Sequence, residues 1–312
     1  MLGPVTTPST ASRSLAGPAA AATVLLWASA FVVIRSVGET LSPGPMALVR
    51  LLVGTIALTA VAAAYRRPLP RGRGLALVVA YGVVWFAGYT VLLNWAERHL
   101  DAGTAALLVN VAPILVAVVA GVAFGDGFPR PLVVGLAVAF LGVVVIAVGG
   151  DDGGVADSLG IALGLLTAVL YAGGVLLQKV ALRTVDPISA TWVGCAAGLL
   201  ATLPAVPQAI GEVAGAGAGP LLGVVFLGVG PTALGFLFWG YALARTDAGR
   251  MAATTLAVPA VAVLLSWVVL GEVPTAWGLL GGALALGGVA ISRVRPRPAA
   301  VASVPEAPAR CP

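Results

Sequence analysis

Stretches of roughly twenty apolar residues recur along the whole chain, and a soluble fold has no place for so many of them. A helix rises about 1.5 Å per residue, so roughly twenty residues cross a hydrocarbon layer of about 30 Å. Ten runs read as spans, at about 17–37, 45–65, 74–96, 102–124, 130–149, 159–181, 187–206, 218–243, 248–270 and 275–293. Backbone in lipid must satisfy its own hydrogen bonds, so each run is expected to be helical. The expected fold class is all-α, a polytopic membrane bundle of ten transmembrane helices. Charged residues make up only 9% of the 312 positions, against about 25% in a soluble domain, and mean hydropathy is +1.05.

Residues 1–16 read as a cytoplasmic leader whose only charged side chain is Arg13. The first run is too long for a signal-peptide core and reads as a retained span. Residues 295–312, rich in Pro and Ala, read as a disordered cytoplasmic tail. Cys195 lies in a span and Cys311 in the tail, which gives no basis for a disulfide. With the N-terminus inside, fourteen Lys and Arg side chains fall on the cytoplasmic side, among them Arg66, Arg67, Arg71, Arg73, Lys179 and Arg183. Only Arg35 and Arg98 fall outside, and Arg50 lies within the second span. That bias places both termini in the cytoplasm of a multi-pass protein of the plasma (inner) membrane. The net charge of +5 is then explained without nucleic acid. The expected partners are the lipid bilayer and a small-molecule substrate, with a homodimer left open.

The chain says nearly the same thing twice. Residues 101–113 read DAGTAALLVNVAP, and 146 positions later 247–259 read DAGRMAATTLAVP. At that shift Gly125-Asp126 meets Gly271-Glu272, Gly135 meets Gly281, and Gly142 meets Gly288. Further upstream, at a shift of 144, Trp27 meets Tyr171, Arg35 meets Lys179, Pro43 meets Pro187 and Gly54 meets Gly198. Five spans align with five, giving two homologous units at about 17–150 and 158–294. Five is odd, so the second unit enters the membrane from the opposite side. Inverted repeats of this kind are characteristic of secondary transporters, in which one repeat rocks against the other.

The stretches LLWASAFVVIR, ALVRLLVG, DAGTAALLVNVAPILVAVVAGVAFGD, DAGRMAATTLAVPAVAVLLSWVVLGE and GLLGGALALGGVAIS carry a resemblance to a known family. They resemble the EamA-type ten-span members of the drug/metabolite transporter superfamily, over roughly residues 17–294. The resemblance implies export or exchange of small metabolites through a cavity between the halves. Amino acids, their derivatives, nucleotide precursors and toxic organics are all carried within that family, and no cofactor is implied.

Depth along each run selects candidate substrate-binding residues. Pro113 and Pro259 lie about 18 Å into their spans, and Gly230-Pro231 interrupts the eighth at similar depth. A mid-helix proline frees a carbonyl that must face protein or a watery cavity, and paired breaks point to a transport site. Trp27 and Tyr171 lie too deep for an interfacial aromatic belt. Tyr81, Trp85 and Tyr89 recur every four residues and share one helix face. These rings serve either bundle packing or a cavity that holds a ring or cation by stacking. Asn110 pairs either with backbone loosened near Pro113 or with a substrate. Thr254 and Thr255 occupy the matching depth in the ninth span, where a bond back to the preceding turn is the alternative. Arg50 is the one clear intramembrane charge; it either snorkels or binds a carboxylate or phosphate through its planar fork. Arg35 and Lys179 are expected to anchor at the interface.

Absences narrow the function. No Asp or Glu lies well inside any run, Asp126 and Glu272 being at run ends. Proton-driven carriers usually use buried carboxylates or histidines, so facilitated export or exchange of a neutral or zwitterionic compound such as an amino acid is expected. One His, one span Cys and no embedded acid supply neither a catalytic set nor a metal site. A lipid-linked flippase or transporter subunit is the principal rival, and a polytopic membrane enzyme the weaker one.

Overall fold

The structure is a computed structural model, and the residues it describes are 15–112, 114, 115, 119, 130–148, 157–243, 255, 257–292 and 294. Among these residues there is helix and no strand. In chain order the helices are α1 (Ala16–Val37), α2 (Pro43–Ala64), α3 (Gly72–Ala96), α4 (Ala102–Val109) and α5 (Arg130–Val148). They continue as α6 (Ser158–Ala181), α7 (Pro187–Gly215), α8 (Ala218–Ala242), α9 (Ala257–Leu270) and α10 (Ala276–Ser292). Six of them, α1, α2, α3, α6, α7 and α8, are long and apolar enough to cross a membrane. Leu25, Ile56, Phe140, Leu222 and Val268 point outward and exposed, an apolar mantle that fits lipid and not water.

The helix starts follow local chemistry. Pro43 and Pro187 open α2 and α7, where the missing N–H has no helical partner to lose. Asp101, Asp157 and Asp186 cap α4, α6 and α7 by accepting from backbone N–H groups of the first turn. α9 ends at Gly271, whose φ of +71° turns the chain back and delivers Glu272 to the helix end.

The packing repeats as the sequence does. α1 packs on α8 and α9, and α6 packs on α3 and α4; α2 packs on α8, and α7 on α3. α2·α7, α4·α9 and α5·α10 pair each helix with its own counterpart. Every one of these contacts maps onto another, or onto itself, when the two five-helix units are exchanged. α6 also begins at the end of the bundle where α1 finishes, since Asp157 bonds His99 near Arg35 and Glu97. Repeated glycines make the crossings close. A Cβ on Gly142 would fall 2.5 Å from the carbonyl oxygen of Gly281, and one on Gly288 2.5 Å from that of Gly135.

Two expectations change. The run 187–206 continues as helix to Gly215, with a 3-10 turn at Leu203–Ala205 that carries it along the bundle end. Neither α3 nor α8 is a uniform α-helix. Gly82–Tyr89 and Gly228–Leu234 are π-helical, again 146 residues apart. An extra residue per turn shifts the face that follows, a feature often found at functional sites.

Candidate functional site

Between the two units lies a cavity of about 50 Å³. Trp27, Arg50, Trp85, Tyr89, Asn110, Tyr171 and Thr255 line it together with Phe31, Leu93, Phe236 and Val258. The first π-helical stretch supplies Trp85 and Tyr89 to its walls, and Phe236 follows the second. The Trp85 ring lies 5.0 Å from Tyr171 and 5.3 Å from Phe236, both edge-on. Trp27 lies 5.4 Å from Phe236 and 5.2 Å from Trp239. Trp27 Nε1 donates to the Pro231 carbonyl at 3.3 Å, a bond from α1 of the first unit to the π-helical stretch of α8 in the second.

Arg50 enters this apolar box from α2. It is 6% exposed, its Nε donates to Thr232 Oγ1 at 2.8 Å, and its Nη1 has no partner. A guanidinium does not snorkel from that position. It is held at one edge of its fork while another N–H group stays unbonded, an arrangement suited to an incoming anion.

The polar groups near the helix breaks behave differently. Asn110 ends α4 and donates Nδ2 to the Ala106 carbonyl at 3.0 Å, the local pairing weighed as an alternative to substrate contact. Thr255 is buried in a turn just before α9. Pro259 sits in the first turn of α9, so it marks a helix start and not a kink within one. Pro113 and Thr254 lie outside the described residues. Tyr81 is fully buried behind Trp85, edge-on at 5.7 Å, and accepts a long bond from Gln178; it does not line the cavity. Trp239, whose depth suggests a belt or gate, is buried under Trp27.

The rim at one end of the bundle holds a polar cluster with no counterpart among the sequence expectations. Arg35, at the end of α1, is bonded across the bundle. Its Nε pairs with Glu272 at 2.9 Å and its Nη1 donates to the Glu97 carbonyl at 2.8 Å. Glu272 also accepts from Ser266 Oγ and the Ala102 N–H, so one carboxylate ties α1, α4 and α9. Ser42 adds a tie from α2 to α7 through Glu212. Glu97, one residue beyond α3, is 2% exposed and neither carboxyl oxygen has a partner. Burial holds that carboxyl well above the usual range, although Arg35 pulls the other way. Along the chain Glu97 merely follows an apolar run, as a surface acid would. The signal was there in the four-residue spacing Trp85, Tyr89, Leu93, Glu97, which continues the cavity face of α3.

A two-unit helical bundle with an apolar mantle and a polar-edged cavity at the unit interface defines an integral membrane transporter. The sequence profile of the EamA-like transporter family matches residues 16–148 and 158–294, and the chain belongs to that family. It is 35% identical to a probable terminal-alkyne amino-acid exporter of Streptantibioticus cattleyicolor, over 86% of this chain and 89% of that one. It is 26% identical to a probable amino-acid metabolite efflux pump of Salmonella typhimurium, over 86% and 91%. A solved crystal structure shares the fold at a TM-score of 0.59 and 21% identity, covering 90% of this chain and 98% of that one. These findings place the chain among transporters and not enzymes.

Proposed function

We propose that this protein exports or exchanges an apolar α-amino acid by alternating access between two inverted five-span units, with both termini cytoplasmic. The observation that carries the reading is Arg50, a buried guanidinium with an unbonded Nη1 in a cavity walled mainly by aromatic and aliphatic side chains. A substrate carboxylate bonds that fork, and its side chain lies against Trp27, Trp85 and Phe236. The two units are related by sequence, yet Gly194 stands where Arg50 stands, and among the described lining residues Arg50 alone is charged. That asymmetry gives a zwitterion one orientation. The names borne by two relatives, an amino-acid exporter and an amino-acid metabolite efflux pump, support the same substrate class.

About 50 Å³ holds a few waters and no amino acid, so the units must part to admit substrate. The Arg35–Glu272 pair joins the first unit to the second at the end read as outer, and must break when that end opens. The test is counterflow in proteoliposomes preloaded with unlabelled L-leucine, L-phenylalanine or L-propargylglycine and held without an ion gradient. Transient accumulation of the labelled amino acid is expected. Intact, correctly loaded vesicles that accumulate none of the three would remove the amino-acid assignment.

A further inference from the structure

A carboxyl with neither oxygen bonded, 2% exposed and beside an ion pair, stands out among the polar groups of the bundle. Ionised, Glu97 would hold a buried charge with no hydrogen bond, which is costly; protonated, it is neutral. Among the described residues, the charged groups bearing on it come from four places: Arg35 on α1, Arg50 on α2, Asp101 at the start of α4, and Glu272 after α9. Glu272 and Asp101 disfavour ionisation, and the two arginines favour it. Glu272 already occupies Arg35, leaving Glu97 only the backbone end of that contact, through its own carbonyl. A metal ion is a poor alternative occupant, because no group of three or more metal-ligating side chains occurs among the described residues.

From this geometry we infer that Glu97 is a proton-binding site, and that loss of its proton opens the adjacent end of the cavity. With the proton on, Glu97 is neutral and Arg35 stays with Glu272, which ties α1 to α4 and α9. With the proton off, the carboxylate must find a cation, and Arg35 is already bonded to the same residue. Glu97 then draws Arg35 from Glu272, the tie is undone, and the rim above Leu93 parts. Alkaline conditions favour opening and acidic conditions favour closure. The role given to opening rests on the transport reading above, but the gate itself is testable without any substrate.

The experiment reads opening directly. A cysteine replaces Ala30 on the cavity wall, in a background carrying Cys195→Ala and Cys311→Ala. Modification of purified full-length protein by a water-soluble maleimide is followed from pH 5.5 to 8.5, each rate divided by that of a free thiol at the same pH. The normalised rate is expected to rise with pH, by up to about tenfold per unit below the transition, as titration of one group requires. With Glu97→Gln added, a permanently neutral side chain, the rate should stay at its acid value throughout. A flat profile for the protein with Glu97 intact overturns the inference, and so does an undiminished rise in E97Q. Dicyclohexylcarbodiimide, which adds to protonated carboxyls in apolar surroundings, is the second measurement should E97Q fail to fold. Label on Glu97 at pH 6 that fades by pH 8.5 supports the site, and no label on Glu97 at any pH overturns it. Failed counterflow with pH-dependent modification sinks the amino-acid reading alone, whereas counterflow with flat modification sinks the gate alone.

Discussion

Gly82 and Gly194 meet backbone to backbone where α3 crosses α7: a Cβ on Gly82 would lie 2.2 Å from the Gly194 carbonyl oxygen. The same crossing recurs between α8 and α2, where a Cβ on Gly228 would lie 2.7 Å from the carbonyl oxygen of Arg50. Each crossing carries a π-helical stretch; the first supplies Trp85 and Tyr89 to the cavity, and Phe236 follows the second. The side chain of Arg50 is what one crossing has and the other lacks.

The crossing should not tolerate a methyl group. Gly82→Ala forces backbone apart, at a cost of about 1–3 kcal/mol by the usual penalty for overpacking. Thermal unfolding of the purified protein should fall by several degrees. Gly211→Ala, with nothing within 4 Å of its Cβ position, is the control. Equal melting of both variants would mean that the close crossing does not matter to stability.

Arg50 should set substrate affinity. Loss of a charge-assisted hydrogen bond costs about 1.5–3 kcal/mol, or roughly 10- to 150-fold in affinity. Counterflow by Arg50→Ala should therefore show a half-saturation concentration raised by that order. Arg50→Lys should recover only part, since an ammonium cannot both hold Thr232 and present a planar fork. Saturation unchanged in R50A would take the carboxylate away from this residue.

Arg35 and Glu272 should act as one unit. Arg35→Gln and Glu272→Gln should each speed maleimide access to a cysteine at Ala30, and the double variant should add little beyond either. Shared partners make such effects non-additive. Fully additive rates in the double variant would show that the pair is not the tie between units.

His99 and Asp157 predict a pH effect outside the spans. The His99 hydrogen bond, followed by the Gly160 N–H, lowers the Asp157 carboxyl from its ordinary value. A folded-state value below the unfolded one means stability that is present above the ordinary carboxylate range and lost as pH falls through the lowered value. Asp157→Ala should therefore lower the melting temperature at neutral pH, and the gap should narrow on acidification. A gap that widens as pH falls would reverse the sign argued here.

Pattern along the chain determined a good deal. Apolar run length dictates helix, because backbone in lipid has no other donor or acceptor, and the repeated glycines and prolines announce two related units. Trp27, Arg50, Trp85, Tyr89, Asn110, Tyr171 and Thr255 were legible as one group because depth can be counted at a fixed rise per residue. Counting depth does not give the azimuth of a helix or the identity of its neighbours. Tyr81 shares the spacing of Trp85 and Tyr89, yet the π-helical stretch that begins at Gly82 shifts the face that follows, and Tyr81 stays behind Trp85. Glu97 and Glu272 both end apolar runs, and along the chain both look like surface acids. Only the packing of α1, α3, α4 and α9 decided that one is paired and the other buried without a partner, because burial is a property of what surrounds a residue and not of its place in a run.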